Sequence, residues 1–313
     1  MSRLPSRIAA SLLVALALMG ACSDDPTVPA SPGPSVTRSS QTPTEEPSAE
    51  PGKSPDPSES PDASADLSFA AIGDFGNGSL EQLSVAARMC SWRKDHPFDL
   101  VVTTGDNIYP DGSPEQFEAN FFEPYKCLFD AGVEWRASLG NHDWATEEGA
   151  PVLDEPAFGM PDENYVVRES GVRFVIANSN AMDRQWLRSA LPAEPGDRWT
   201  IVVFHHPVFS PGLHGSFPAF ADLPEIFEEY GVDLVLNGHD HIYARIEKTG
   251  GIRYVVTGGG GSHLYPCLPS PATEVCELEF HFLYVTANDK EIRVTAVPAN
   301  GKPFDRFATK GLD

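Results

Sequence analysis

Basic side chains are scarce in this chain: 22 Lys and Arg stand against 45 Asp and Glu, a formal net charge of −23 at pH 7. That balance argues against a nucleic-acid partner, because a phosphate backbone needs a basic footprint. It also means that an anionic ligand has to be drawn by a local positive centre, such as bound metal. A membrane-spanning run is missing as well. The apolar stretch Ile8 to Gly20 covers about thirteen residues, against the ~20 of a spanning helix. No Cys-x-x-Cys spacing occurs, which argues against a cysteine-based zinc site. There is no internal repeat. Residues 22–65 contain no aromatic side chain but hold ten Pro among many Ser, Thr, Asp and Glu. Such a segment cannot bury enough apolar surface to offset its ordering entropy, so it is expected to be a disordered, extended tether.

What is present divides the chain into three. Arg3 and Arg7 ahead of the apolar stretch read as an export signal over residues 1–21. Met19-Gly20-Ala21-Cys22 resembles a bacterial lipoprotein signal, with small residues before a Cys. A diacylglycerol on Cys22 would then be the chain's membrane contact, with no helix crossing the bilayer. The expected location is extracytoplasmic, held on the cell membrane by that lipid or secreted. Residues 66–313 remain as one domain of about 250 residues, long enough for a large core and expected to be a monomer. Four Cys lie in it: Cys90, Cys127, Cys267 and Cys276. In an exported protein an even number suggests disulfides. Three pairings are possible; proximity favours Cys267–Cys276, which leaves Cys90–Cys127.

Short β-branched and apolar runs predict strands at Leu67 to Ile72, Leu100 to Thr104, Val133 to Leu139, Val172 to Ala177, Thr200 to Phe204, Val232 to Leu236 and Ile252 to Thr257. Phe282 to Thr286 and Ile292 to Val297 predict a final hairpin joined by a turn-like Ala287-Asn288-Asp289-Lys290. Ser79-Leu80-Glu81-Gln82 has the form of a capping box, followed by an apolar stripe at Leu83, Ala86, Ala87 and Cys90. Asp183 to Leu191 and Phe220 to Tyr230 are further helices by the same reading. Strands alternating with helices predict an α/β layered domain. The late strands point to two sheets packed together rather than one doubly wound sheet.

Five segments each end an apolar run with metal-type ligands. They are Gly73-Asp74-Phe75-Gly76, Gly105-Asp106-Asn107-Ile108-Tyr109, Gly140-Asn141-His142-Asp143, Val202-Val203-Phe204-His205 and Gly238-His239-Asp240-His241. In open α/β sheets, sites gather outside the carboxyl ends of strands, so five strand ends delivering ligands make one site. Asp74 and Asp106 are hard oxygen donors, and Asp106 can give one oxygen to each of two metals. Asn141 offers a neutral carbonyl, and His205, His239 and His241 offer imidazole nitrogens suited to zinc, iron or manganese. The Tyr109 phenolate favours a trivalent ion such as ferric iron. Each segment alone has a plain reading as a turn or a structural histidine; five in this order predict a dinuclear site.

The order of these blocks resembles the purple acid phosphatases, a branch of the calcineurin-like metallophosphoesterases. The resemblance covers about residues 67–265. Generic members of the superfamily place a His two residues after the first Asp. Here that position is Gly76, and Tyr109 supplies the replacement ligand. The resemblance implies a β-sandwich of two mixed sheets flanked by helices. It also implies Fe(III) on Asp74, Tyr109 and His241, a divalent iron, zinc or manganese on Asn141, His205 and His239, and Asp106 between them. His142 and His214 would meet the phosphate and protonate the leaving alcohol. Asp143 either orients His142 or caps a turn. His206 is a neighbour of the site rather than a ligand, and the Gly258 to Gly261 run borders it.

The reaction so implied is hydrolysis of a small phosphomonoester by in-line attack of a metal-bound hydroxide. No covalent phosphoenzyme is needed, and nothing supports a Cys- or Ser-based mechanism. The alternatives are a phosphodiesterase or nucleotidase on the same centre, or a surface binding protein that keeps the fold without the activity. The complete ligand set argues against the last.

Overall fold

The computed structural model describes residues 66–268 and 270–310. The expected signal at 1–21, the lipid site at Cys22 and the tether at 22–65 lie outside the described residues. The described strands are β1 Leu67–Ile72, β2 Leu100–Thr103, β3 Glu134–Arg136, β4 Tyr165–Glu169, β5 Val172–Ile176, β6 Trp199–Val203, β7 Leu234–Asn237, β8 Tyr243–Thr249, β9 Ile252–Thr257, β10 Thr273–Glu277, β11 His281–Ala287, β12 Glu291–Pro298 and β13 Asp305–Lys310. The α-helices are α1 Leu80–Trp92, α2 Lys126–Asp130, α3 Asn141–Trp144, α4 Ala150–Asp154, α5 Arg184–Ala190 and α6 Leu223–Glu229.

Two mixed sheets form. One has the order β13-β12-β11-β1-β2-β3, the other β10-β8-β9-β7-β6-β5-β4. In the first, β1, β2 and β3 run parallel, and β11 to β13 are antiparallel additions. In the second, β5, β6, β7 and β9 are parallel, and β4, β8 and β10 are antiparallel. Side chains alternate cleanly along the central strands. Phe174, Ile201, Val203, Leu234 and Leu236 face the first sheet and join one core with Phe69, Val101 and Leu283. Val175, Val202 and Val235 face outward and join a second core with Leu187 of α5 and Ile226 and Phe227 of α6. Both faces of these strands are therefore covered, which is why they read as unbroken apolar runs. Phe69 meets Phe174 edge-on across the sheets at 5.0 Å.

The Ser79 hydroxyl caps α1 by accepting from the Gln82 amide at 3.0 Å. The box is not reciprocal: the Gln82 side chain accepts from Asn77 and Gly78 instead. It is buried, and it also donates to the Asn120 carbonyl at 2.5 Å. This rotates the buried stripe. Gln82, Val85, Ala86, Met89 and Trp92 face inward, whereas Leu83 is exposed, so the expected stripe through Leu83 and Ala87 is corrected by one helical position. A fully hydrogen-bonded Gln has taken a core position that its polarity argued against.

The expected strand from Val133 to Leu139 shortens to β3, because residues 137–140 leave the sheet to carry the next loop into the site. Disulfides join Cys90 to Cys127 and Cys267 to Cys276. The first ties α1 to α2 across 37 residues. In the chain-entropy picture a loop of that length is worth roughly 4 kcal/mol, more than the short second loop.

Candidate metal centre

The parallel strands of the two sheets end at the same edge, and each predicted ligand follows one of them. Asp74 follows β1, Asp106 and Tyr109 follow β2, and Asn141 opens α3 beyond β3. His205 follows β6, and His239 and His241 follow β7. Three of these residues hold positive φ: Asp74 at 57°, Asp106 at 50° and His239 at 71°. Left-handed non-glycine backbone costs of order 1–3 kcal/mol per residue and persists where neighbours over-determine it. Here the main chain supplies that support. The Asp74 amide donates to the Gly105 carbonyl at 3.0 Å, and the Asp74 carboxylate accepts from the His239 amide at 3.0 Å.

The side chains converge. Ligand atoms of Asp74, Asp106 and His205 all lie within 4.8 Å of one another, and all three residues are buried, so this cluster can hold a metal ion. The Tyr109 hydroxyl lies 3.0 Å from Asp106 Oδ2, 3.1 Å from His241 Nε2 and 3.4 Å from Asp74 Oδ1. On the other side, Asn141 Oδ1 is 3.0 Å from both His205 Nε2 and His239 Nδ1. Those two ring nitrogens are 3.2 Å apart. His205 Nε2 is also 3.3 Å from Asp106 Oδ2, so Asp106 lies between the two groups.

The donor set fits a cation. His205 Nδ1 sits 2.9 Å from the Thr104 carbonyl, and His241 Nδ1 sits 2.7 Å from that of His263. A carbonyl only accepts, so each Nδ1 carries a proton and each Nε2 points inward, where a cation that displaces any proton there meets its lone pair, an arrangement that orients imidazole ligands. Lone pairs from His205, His239 and Asn141 then crowd one spot with the carboxylates beside it.

Electrostatics agree. Burial acts to raise the Asp106 carboxyl, but His205, by charge and hydrogen bond, and His142 override it and hold it well below the usual carboxylate range. Burial opposes a charge on His205, yet Asp106 pushes it up to about 9. Burial raises Tyr109 well above its ordinary value, and Asp106 and Asp74 add to this, so the phenol keeps its proton until a cation replaces it. A cation entering here displaces protons, and its affinity therefore falls in acid.

Gly76, where the resemblance puts a His in generic members of the superfamily, has no room for a side chain. A Cβ there would stand 1.6 Å from the Asn107 carbonyl oxygen. The Gly76 carbonyl accepts from the Tyr109 amide at 2.7 Å. The missing His and the added Tyr are thus one structural fact: the glycine lets residues 107–109 press against the first loop and carries Tyr109 inward. Gly140 does the same for Asp106, whose Oδ1 would be 2.0 Å from its Cβ.

Neighbouring residues build the rim. His142 donates its amide to Asp106 Oδ1 at 2.9 Å, and its ring Nδ1 is 2.5 Å from the Pro110 carbonyl. His142 Nε2 is 4.0 Å from Asp106 Oδ2. The exposed His214 ring lies 4.5 Å from that of His239. Asp143 takes the turn-capping role of the two expected: its buried carboxylate accepts from the amides of Gly140, Asn107 and Ile108. Burial, with Asp106 nearby, pushes its carboxyl up to about 7. His206 pairs with the Ser179 hydroxyl at 2.9 Å. The glycine run borders the site, with Gly260 donating to Gly73 and Ser262 to Asp74.

Two residues had no role from sequence. Asp240, fully buried between the two histidines of its segment, accepts from the Ser210 hydroxyl at 2.5 Å and the His214 amide at 2.8 Å, and so anchors the His214 loop. Its place in Gly-His-Asp-His was the available signal. Tyr265 stacks on His241 at 4.3 Å, and nothing in the sequence near it marked that contact.

Calcineurin-like phosphoesterases as a family match residues 67–243. Purple acid phosphatase 7 of Arabidopsis thaliana is 30% identical over 243 residues, spanning 65% of this chain and 74% of that protein. Among solved structures, GAP50, the anchor in the inner membrane complex of Plasmodium, matches with a TM-score of 0.68 at 17% identity, over 79% of this chain and 89% of that one. Purple acid phosphatase PPD1 from yellow lupin (Lupinus luteus) seeds gives 0.65 at 18% identity, over 78% of this chain and 53% of that one. At such identities the two structures speak to the fold alone.

Proposed function

The chain belongs to the calcineurin-like phosphoesterase family, in its purple acid phosphatase branch, and on that premise we propose that it is a dinuclear-metal acid phosphatase acting on phosphomonoesters. The observation that carries the reading is the Tyr109 hydroxyl lying among Asp106, His241 and Asp74 while Asn141, His205 and His239 converge on the far side of Asp106. In this proposal Asp74, Tyr109 and His241 hold Fe(III), and Asn141, His205 and His239 hold divalent iron, zinc or manganese. Asp106 serves both. Bound there, the two cations would polarise the phosphoryl oxygens and make hydroxide available in acid for in-line attack on phosphorus.

The chain's own residues do the rest. His142 is fixed by the Pro110 carbonyl through Nδ1, which leaves Nε2 facing the space beside Asp106. In its protonated form it donates to a phosphoryl oxygen. His214, held by Asp240, stands over His239 and delivers a proton to the departing alkoxide.

A panel of one aryl phosphate monoester and the matching diester, at acidic pH, tests this. The monoester is expected to react with a kcat/KM at least ~100-fold higher, the size of effect expected when a site built for one ester meets another. A faster diester replaces the reading with a phosphodiesterase; no turnover of either by folded, metal-loaded protein replaces it with a binding protein.

We place the enzyme outside the cytoplasm, exported by residues 1–21, lipidated on Cys22 and spaced by residues 22–65. The two disulfides support an oxidising compartment. Cys22→Ser should move the protein from the membrane to the soluble fraction; a variant that stays with the membrane contradicts the anchor.

A further inference from the structure

The rim of the centre on the His214 side carries exposed apolar side chains. His214 is flanked in sequence by Leu213 and, three residues on, by Phe217, which are 54% and 36% exposed. The Phe217 ring packs 4.7 Å from that of His206, which in turn lies 4.6 Å from His239. A second segment closes on the same loop. Tyr265 stacks on His241 and meets the His214 ring edge-on at 5.1 Å. Leu268, 47% exposed, donates its amide to the Pro211 carbonyl at 2.6 Å. The Cys267–Cys276 disulfide fastens this segment to β10. Two exposed leucines and two aromatic rings are therefore carried by the segments that meet around the group proposed to protonate the leaving alcohol, with Tyr265 touching its ring.

Among the described residues, no Arg or Lys hydrogen-bonds or pairs with the seven ligand side chains, His142 or His214. Arg184, which reaches the Ala219 carbonyl near the Phe217 ring, is committed to Asp222 at 2.6 Å. A leaving group that carries further phosphates would meet these exposed apolar side chains, against which its charge is poorly solvated.

Resting on the phosphatase reading above, we propose that this rim selects the alcohol half of the substrate: the enzyme prefers phosphomonoesters of apolar alcohols and disfavours polar or polyanionic leaving groups. The departing alkyl or aryl group lies against Leu213, Phe217, Tyr265 and Leu268, where the water it sheds stabilises the complex. The phosphoryl group stays over the centre. Water attacks phosphorus, the ester P–O bond breaks, and the alcohol leaves with the proton supplied by His214.

The test compares hexyl phosphate, glycerol phosphate and inorganic pyrophosphate on the metal-loaded enzyme. The first two are alkyl esters of similar intrinsic reactivity, so their ratio reports recognition. Wild-type kcat/KM is expected to favour hexyl over glycerol phosphate by about tenfold or more, a scale typical of apolar discrimination. Pyrophosphate should react more slowly than hexyl phosphate despite its better leaving group. In Leu213→Ser/Leu268→Ser, at two exposed positions, the hexyl-to-glycerol ratio should fall severalfold. A wild-type ratio near one, or a ratio unchanged in the double variant, overturns the inference. Absence of turnover of all three by folded, metal-loaded protein defeats the phosphatase reading itself, and the preference with it.

Discussion

Asp106→Asn is expected to lower kcat on an aryl phosphate by roughly a thousandfold or more, the upper range for removing one polar group from a preorganised site. The substitution keeps the shape. Asn can still accept from the His142 amide through its carbonyl oxygen, so the α3 turn has no reason to move. What goes is the negative charge proposed to serve both cations. Asp106 Oδ2 faces Tyr109 on one side and His205 on the other. With an amide there, an N–H or a neutral oxygen would meet the proposed cations in place of a carboxylate. Metal content should fall from two ions per chain toward one or none, read by elemental analysis beside the kinetics, with circular dichroism unchanged. An Asn variant that keeps full activity and both ions would remove Asp106 from the shared position.

Putting back a side chain at residue 76 should do comparable damage by another route. Gly76→Ala places a Cβ where the Asn107 carbonyl oxygen already stands, 1.6 Å away, and that oxygen belongs to backbone rather than to a flexible side chain. The 107–109 segment must retreat. Asn120, which donates to the Gly76 and Tyr109 carbonyls, is pulled with it. Overpacking of this kind costs about 1–3 kcal/mol of stability. A shift of about 1 Å at Tyr109 costs on the order of a hundredfold in rate. Gly76→His should fail in the same way, without supplying the histidine that the resemblance puts there, because Tyr109 already holds the approach to Asp74, Asp106 and His241. Thermal unfolding and kcat check both variants. A stable, fully active Gly76→His enzyme would show that the glycine and the tyrosine are independent.

Much of this architecture is legible in the chain, and the reason is physical. Strands covered on both faces, such as β6 and β7, appear as unbroken apolar runs, and the residue that ends each run is placed by the sheet at one edge. The order and residue types of the ligand-bearing segments are therefore enough to mark them as a single site. What escapes lies at the sheet margins. The edge strands β4, β10 and β13 and the neighbouring β8 carry no readable signal, because Arg168, Glu274, Arg306 and Glu247 break their apolar pattern. Edge strands carry such charges as protection against pairing with other chains. The stripe on α1 is misplaced for the opposite reason: buried Gln82 is polar yet hydrogen-bonds to Asn77, Gly78 and Asn120 through both its oxygen and its nitrogen. Asp240 is flagged by its place in Gly-His-Asp-His, but its contact with the His214 loop, like that of Tyr265 with His241, runs across the chain, where local spacing does not record it.

The central claim is that Tyr109 is a ligand to ferric iron in a two-metal centre. The visible spectrum of the purified, metal-loaded protein, taken with its elemental analysis, tests it most directly. The account predicts two metal ions per chain, at least one of them iron, and a visible charge-transfer band that disappears in Tyr109→Phe while the fold persists. Protein without iron, or a spectrum that Tyr109→Phe leaves unchanged, would contradict it.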